Sequence, residues 1–393
     1  MYAAIFKFVD NELIRISNPV ETGVAYTASD YASVIKMKKI NDNIYCFTYY
    51  LYTGTSSDGD MYSYGVYFLG VNDNEIVDVA NFKWDNMVGY KTNGIEVFKF
   101  NDDDTTFGVM AFEESSVRFG SKLFLHIGNI SFLNNEIILT TLKDVTVQEE
   151  LNDGYDIYLF EQYRKENETL VSCLYYRKDS IAIFYVYKVL ITRKGEDFEI
   201  TSERIDLGSS YDREGGFRIV PIVQDEYSGD VALWEYRTGE SGKSATLYNC
   251  NYVNLGTVGK WFGYFNKRIS PNEIALFEYK SYGTPYSLNA EVGIYNNEIK
   301  TVTWSNKAEI GEISNDIQSN PYGILNIGDN NYLLLSGKGY IAFHYEEKNV
   351  SKGMTENLNT VKQYNGTNKA MGFAKTGGNS GETVKVYVPW EDN

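Results

Sequence analysis

A fold made of β-strands in repeated antiparallel units is predicted by three observations. The first is a hairpin signature, Asn or Asp followed by Asn, Glu and an aliphatic residue. Its copies are Asp10-Asn11-Glu12-Leu13, Asp73-Asn74-Glu75-Ile76, Asn134-Asn135-Glu136-Ile137 and Asn296-Asn297-Glu298-Ile299. Asn tolerates positive φ, so these dipeptides between alternating apolar runs spell tight β-hairpins. Asn11 and Asn74 are 63 residues apart, Asn74 and Asn135 61, and Asn135 and Asn297 162, the last leaving room for two units with diverged turns. The second is a recurrent strand end, aromatic or aliphatic, polar, Tyr and often a base. It is seen at Phe47-Thr48-Tyr49-Tyr50, Leu174-Tyr175-Tyr176-Arg177, Trp234-Glu235-Tyr236-Arg237 and Phe277-Glu278-Tyr279-Lys280, with a weaker copy at Phe112-Glu113-Glu114. The third is the scarcity of helical periodicity, with only six prolines and turns built from Gly and Asn.

A period of roughly 40–60 residues with several strands per period is that of a β-propeller. Each unit reads as a first strand, a second ending in the aromatic motif, a third, and a fourth after the hairpin. Complete units fall at about 35–84, 97–143, 155–206, 217–257 and 260–305. A further first–second pair follows at Tyr322–Ser336, and the N-terminal runs Ala3–Phe8 and Glu12–Ser17 look like a third and fourth strand without a first pair. Joining the two incomplete sets closes a ring and removes open sheet edges. The expectation is therefore a six-bladed propeller over 1–347, closed by pairing of N- and C-terminal strands. Seven blades result if Gly339–Glu346 begins another unit.

After about Glu347 the composition turns polar and linker-like, and a compact Gly-punctuated segment follows to the end. Its last run, Gly381-Glu382-Thr383-Val384-Lys385-Val386-Tyr387-Val388, alternates as a strand does. This assigns 348–393 as linker and small C-terminal β module.

Bulk properties narrow the function classes. Tyr and Phe, 34 and 21 residues, bring the aromatic content to 15%, which suits half-buried strands and rigid contact surfaces. A net charge of −17, spread along the chain, argues against nucleic acid and against an anionic membrane surface. Colloidal repulsion accounts for most of it. Cys46, Cys173 and Cys250 lie far apart without metal-ligand spacing, and His126 and His344 are the only histidines. Buried small hydrophobes explain the cysteines better than a disulfide or zinc site. Without a basic leader or a long apolar run, the expectation is synthesis in a cytoplasm without membrane insertion.

Chemistry-bearing motifs are sparse, so no catalytic residue, metal site or cofactor is assigned. The chain has no Gly-x-Ser-x-Gly elbow and no phosphate-cradling loop. Asp102-Asp103-Asp104 and Asp58-Gly59-Asp60 lack the ligand ladder of a calcium loop and read as solvated turns. Glycoside hydrolysis needs only two placed carboxylates, but 53 acidic residues single out no pair. Segments sharing one face of a propeller carry Trp84, Tyr211, Arg213, Arg237, Tyr282, Tyr286 and Trp304. Planar aromatics stack on sugars and Arg donates beside them, which makes these the candidate ligand-binding residues. Trp84 and Trp304 also end equivalent strands, Asn-Phe-Lys-Trp and Thr-Val-Thr-Trp, where packing between blades is the competing role.

The segment Ala370-Met371-Gly372-Phe373-Ala374-Lys375-Thr376-Gly377-Gly378, with the Gly381–Val388 run after it, resembles a short module near the ends of bacteriophage and prophage virion proteins. The likeness spans about 30 residues of 393 and depends on glycine; Phe373 stands where Ile or Val is usual. It implies a tail-fibre, baseplate or head-fibre component, localised to a virion assembled in a bacterial cytoplasm, with other virion proteins as partners. Tyr364, Met371, Phe373, Tyr387 and Trp390 are then the candidate docking residues. The function expected is non-enzymatic and structural, the propeller acting as spacer, decoration or receptor reader. The second reading is a carbohydrate-binding protein or glycosidase acting on bacterial surface polysaccharide. Homo-oligomerisation is compatible with a fibre role, although no coiled-coil heptad supports it.

Overall fold

The structure, a computed structural model, describes residues 2–9, 12–22, 32–56, 59–88, 94–100, 103–113, 121–151, 155–178, 182–210, 217–221, 229–235, 246–257, 265–270, 273–279, 286–296, 298–304, 308–313, 323–328, 331–336, 339–348, 351–355, 361–363, 373–374 and 386–387. Among these, all regular structure is β. Contacts divide the chain into two units, one of Met1–Ala25, Asp73–Ile76 and Val258–Asn393, the other of Tyr26–Asn72 and Val77–Thr257.

The N-terminal strands are β1 (Tyr2–Ala3), β2 (Ile5–Val9), β3 (Glu12–Arg15) and β4 (Val20–Glu21). Four antiparallel sheets follow, each four consecutive strands in sequence order. The first contains β5 (Ala32–Lys39), β6 (Ile44–Ser56), β7 (Gly59–Asn72) and β8 (Glu75–Val88). The second contains β9 (Ile95–Phe100), β10 (Asp103–Glu113), β11 (Ser121–Leu133) and β12 (Glu136–Leu151). In the third are β13 (Tyr155–Arg164), β14 (Glu168–Lys178), β15 (Ala182–Lys194) and β16 (Asp197–Ser210). The fourth is β17 (Phe217–Pro221), β18 (Val231–Glu235), β19 (Thr246–Tyr248) and β20 (Asn254–Thr257).

These strands read as near-continuous apolar runs because both faces of a sheet are buried. Alternate side chains point to opposite faces, and they divide between neighbours accordingly. Val97, Val109 and Ala111 of the second sheet join a core with Cys46, Val66 and Phe68 of the first. The residues beside them, Phe98, Met110 and Phe112, join another with Val171, Cys173 and Tyr175 of the third. Leu174 and Val186 of the third sheet meet Val231, Leu233 and Tyr248 of the fourth. Each fully buried side chain of this size stabilises by roughly 1.5–3 kcal/mol.

Glycines inside these strands have a packing cause. Tyr49 stands opposite Gly65, Phe98 opposite Gly108, and Phe107 opposite Gly128. A Cβ on Gly108 would sit 2.1 Å from the Phe98 ring, and one on Gly65 2.5 Å from the Tyr49 hydroxyl. The aromatic ring lies across its cross-strand glycine and fills the space a side chain would take.

The hairpins follow the turn chemistry in two of the four signatures. Asp73 and Asn74 have φ of 46° and 72°, and Asn134 and Asn135 have 54° and 66°, the left-handed pair of a type I′ turn. Gly195-Glu196, 61 residues beyond Asn134-Asn135, closes the third sheet's hairpin with glycine in the first position at φ 67°. That is the type II′ solution. A five-residue turn replaces it in the fourth sheet, where the Asn249 side chain accepts from the backbone nitrogens of Asn251 and Val253. Asp10 and Asn11 lie outside the described residues, although Val9 and Glu12 pair across them. At Asn296 the expected two-residue turn is not found. The Asn296 side chain accepts from the Glu298 and Ile299 nitrogens, and the left-handed position falls on Lys300 at φ 54°. Pairing resumes only at Thr301, opposite Asn296, so the loop is four residues long.

The other unit has two comparable sheets. One holds β21 (Phe265–Ser270), β22 (Glu273–Tyr279), β23 (Tyr286–Asn296) and β24 (Thr301–Trp304), with β25 (Ala308–Ile313) continuing along β23. The next holds β26 (Gly323–Gly328), β27 (Asn331–Ser336), β28 (Gly339–Lys348) and β29 (Ser351–Thr355), with β30 (Val361–Gln363) along β28. The Tyr322–Ser336 pair is thus completed by the strands that follow it, not by the N-terminal strands. Those strands meet β31 (Phe373–Ala374) and β32 (Val386–Tyr387) instead, in the order β3-β2-β32-β31. Ile5 stands opposite Tyr387 and Phe6 opposite Val386. Among the described residues this makes seven sheets of four or more strands, besides the pair β1-β4.

Candidate functional site

The first strands of three successive sheets bring together charges that their apolar sequences make conspicuous. Lys38 of β5 reaches Glu96 of β9 at 2.5 Å and Glu161 of β13 at 2.8 Å. Arg164, three residues beyond Glu161 and past a register shift between Glu161 and Tyr163, pairs with its other carboxylate oxygen. Glu96 and Glu161 are 2% and 5% exposed, so neither is solvated. Burial pushes the Glu161 carboxyl up, but Lys38 and Arg164 outweigh it and hold the group below the usual carboxylate range. For Lys38, burial pulls down while Glu161 and then Glu96 pull up, and the carboxylates prevail. The arrangement is charge-compensated and keeps Glu161 ionised, which fits a staple between sheets better than a proton donor.

Further polar links repeat from sheet to sheet. Asp78 of the first accepts from the Ile137 nitrogen of the second at 2.6 Å. Lys143 of the second donates to the Phe198 carbonyl and Asp197 of the third at 2.7 and 2.8 Å. Lys188 of the third donates to Asn251 beside the fourth at 2.8 Å. Nearer the first strands, Thr169 donates to the Lys99 carbonyl and Gln162 to the Gly229 carbonyl. His126 stacks on Phe82 with centroids 3.8 Å apart and bonds Asp144 through Nδ1 at 2.7 Å. Burial lowers its pKa, and Asp144 only partly offsets that.

Of the ligand candidates singled out from sequence, Trp84, Tyr286 and Trp304 fall among the described residues. Trp84, half-buried on β8, packs edge-on against Phe82 and lies near Phe124. Trp304 ends β24 opposite Gly293, where a Cβ would come within 2.8 Å of its ring. Tyr286 opens β23 with its backbone opposite Ile313, so it is a strand residue and not part of a loop. Tyr211, Arg213, Arg237 and Tyr282 lie outside the described residues, as do Tyr364, Met371 and Trp390. Phe373 and Tyr387 face each other across β31 and β32. Cys46 and Cys173 are buried as expected, and burial raises the Cys46 thiol to about 12. Among the described residues no cluster of His, Cys, Asp or Glu could hold a metal, and no helix is long and apolar enough to cross a membrane. Sequence reading missed the Lys38 cluster. Its available signal was a charged residue inside an apolar first strand in three successive units, Val-Ile-Lys-Met-Lys, Ile-Glu-Val-Phe and Leu-Phe-Glu-Gln.

Neither a protein-family profile nor a curated protein sequence matches this chain. Among solved structures it is similar to the β-propeller domain of Nup133 from Vanderwaltozyma polyspora. That likeness has a TM-score of 0.36 and 10% identity, over 75% of this chain and 100% of that one.

Proposed function

We propose that the chain is a seven-bladed β-propeller closed by its terminal strands, serving as a non-enzymatic structural and attachment component of a bacteriophage or phage-derived particle. The observation that carries the reading is the C-terminal segment. Its Ala370–Val388 pattern is similar to a module of phage virion proteins, and its strand Val386–Tyr387 pairs with Ile5–Phe6. An N-terminal pair and a C-terminal pair sharing one sheet is the closure that a ring of blades uses. A paired, ionised Glu161 at the meeting of three first strands suits a rigid spacer. In this role the propeller displays its loops to a host surface or a neighbouring protein, and Tyr364, Met371 and Trp390 make the particle contact.

The test is incorporation. Because β31 and β32 are part of the fold, point variants are preferable to truncation. Met371→Ala with Trp390→Ala should leave the thermal midpoint near that of the parent and remove the protein from purified particles. Particles that still carry the double variant at parental copy number would sink the docking assignment.

A further inference from the structure

A cavity of about 280 Å³ opens beside the third sheet, under the turn of the fourth. Its floor is a cross-strand row: Tyr163 is next to Leu170 in register, Leu170 stands opposite Leu190, and Leu190 opposite Thr201. Directly opposed residues of antiparallel strands share a face, so the row runs across the sheet from β13 to β16. Lys188 and Glu203, two positions along, form the next pair on that face. The far wall is the turn at Asn251, held by the Lys188 ammonium donating to its side-chain oxygen. Tyr163 and Leu170 are buried while Thr201 and Glu203 are exposed, so the deep end is apolar and the mouth polar.

We propose that this groove binds one neutral acetamido sugar residue. Lys188 and Glu203 lie 3.8 Å apart and balance in charge, so an ion of either sign gains no net attraction. The mouth offers donors in Lys188 and the Asn251 amide and acceptors in Glu203 and the Thr201 hydroxyl, a set that suits a ligand carrying both hydroxyls and a carbonyl. The leucine floor takes a methyl group, which an acetamido substituent supplies beside that carbonyl. The volume lies just under the roughly 300 Å³ at which drug-sized pockets begin, which limits the occupant to a single ring. The inference stands apart from the particle role. A protein absent from particles that binds the sugar leaves it intact, and a particle protein that does not bind removes it alone.

Saturation-transfer NMR of the full chain with N-acetylglucosamine and with glucose tests it. The expected result is a saturable signal strongest at the acetamido methyl, with glucose at least about tenfold weaker. Lys188→Met, which removes a charged donor, should weaken binding about tenfold. Thr201→Trp, which fills the mouth from an exposed position, should abolish it. If Lys188→Met fails to fold, Thr201→Trp decides alone. No saturable signal in the parent, an unchanged signal in Thr201→Trp, or equal binding of glucose would overturn the assignment.

Discussion

Lys38 neutralises two carboxylates that have little water around them, and removing it would leave Glu96 and Glu161 facing each other in the interior. Lys38→Met should therefore destabilise by about 3–5 kcal/mol, near the lower end because Arg164 still holds Glu161. Urea unfolding at pH 7 measures this, and a loss below 1 kcal/mol, roughly that of an exposed pair, would contradict it. The sign with pH follows from the shifts. Glu161 has a folded pKa below its unfolded one, so its contribution is present above the unfolded carboxylate range and lost as pH falls through the folded value. His126 also has a lowered folded pKa, so the unfolded chain takes its proton first and stability drops as pH falls below about 6.5. His126→Gln should flatten that part of the stability curve between neutral pH and pH 5. Gly108 lies under the Phe98 ring, and Gly108→Ala should cost about 1–3 kcal/mol through forced displacement of the ring. The charged residues in apolar strands are legible in the sequence, but their mutual partners are not. Lys38 and Glu161 are 123 residues apart, and only the stacking of sheets joins them.

Strands and hairpins are the scale at which sequence speaks most directly, because a turn is decided by the φ its own residues tolerate. Asn134 sits at φ 54°, so Asn134→Gly should be neutral or stabilising while Asn134→Ala should cost on the order of 1 kcal/mol. Equal effects of the two in thermal unfolding would contradict a left-handed turn. The same four letters at Asn296 failed as a two-residue turn because the Asn296 side chain is committed to the nitrogens of Glu298 and Ile299, which widens the loop. Local pattern also placed the aromatic motif in second strands; it falls wholly in β6 and β14, and its described residues fall in β10, β18 and β22. What it could not place was the partner of a strand distant in sequence. Composition offers no sign that Ser351–Thr355 completes a sheet or that Val386–Tyr387 reaches Ile5–Phe6. Ending the chain at Gln363 should uncover the β2 edge, lower the thermal midpoint and promote association detectable by light scattering.

For the whole molecule we propose one closed ring of seven sheets with a place on a particle. The repeated four-stranded sheets and the sheet shared by N- and C-terminal strands support the ring; the likeness of the tail segment supports the particle. Cryo-electron microscopy of the phage or phage-derived particle from which the gene comes tests both together. The account predicts seven-bladed density on the particle, with the strand of Ile5–Phe6 continuous with that of Val386–Tyr387 in one blade. Particles that lack the protein, or density in which those two strands lie apart, would contradict it.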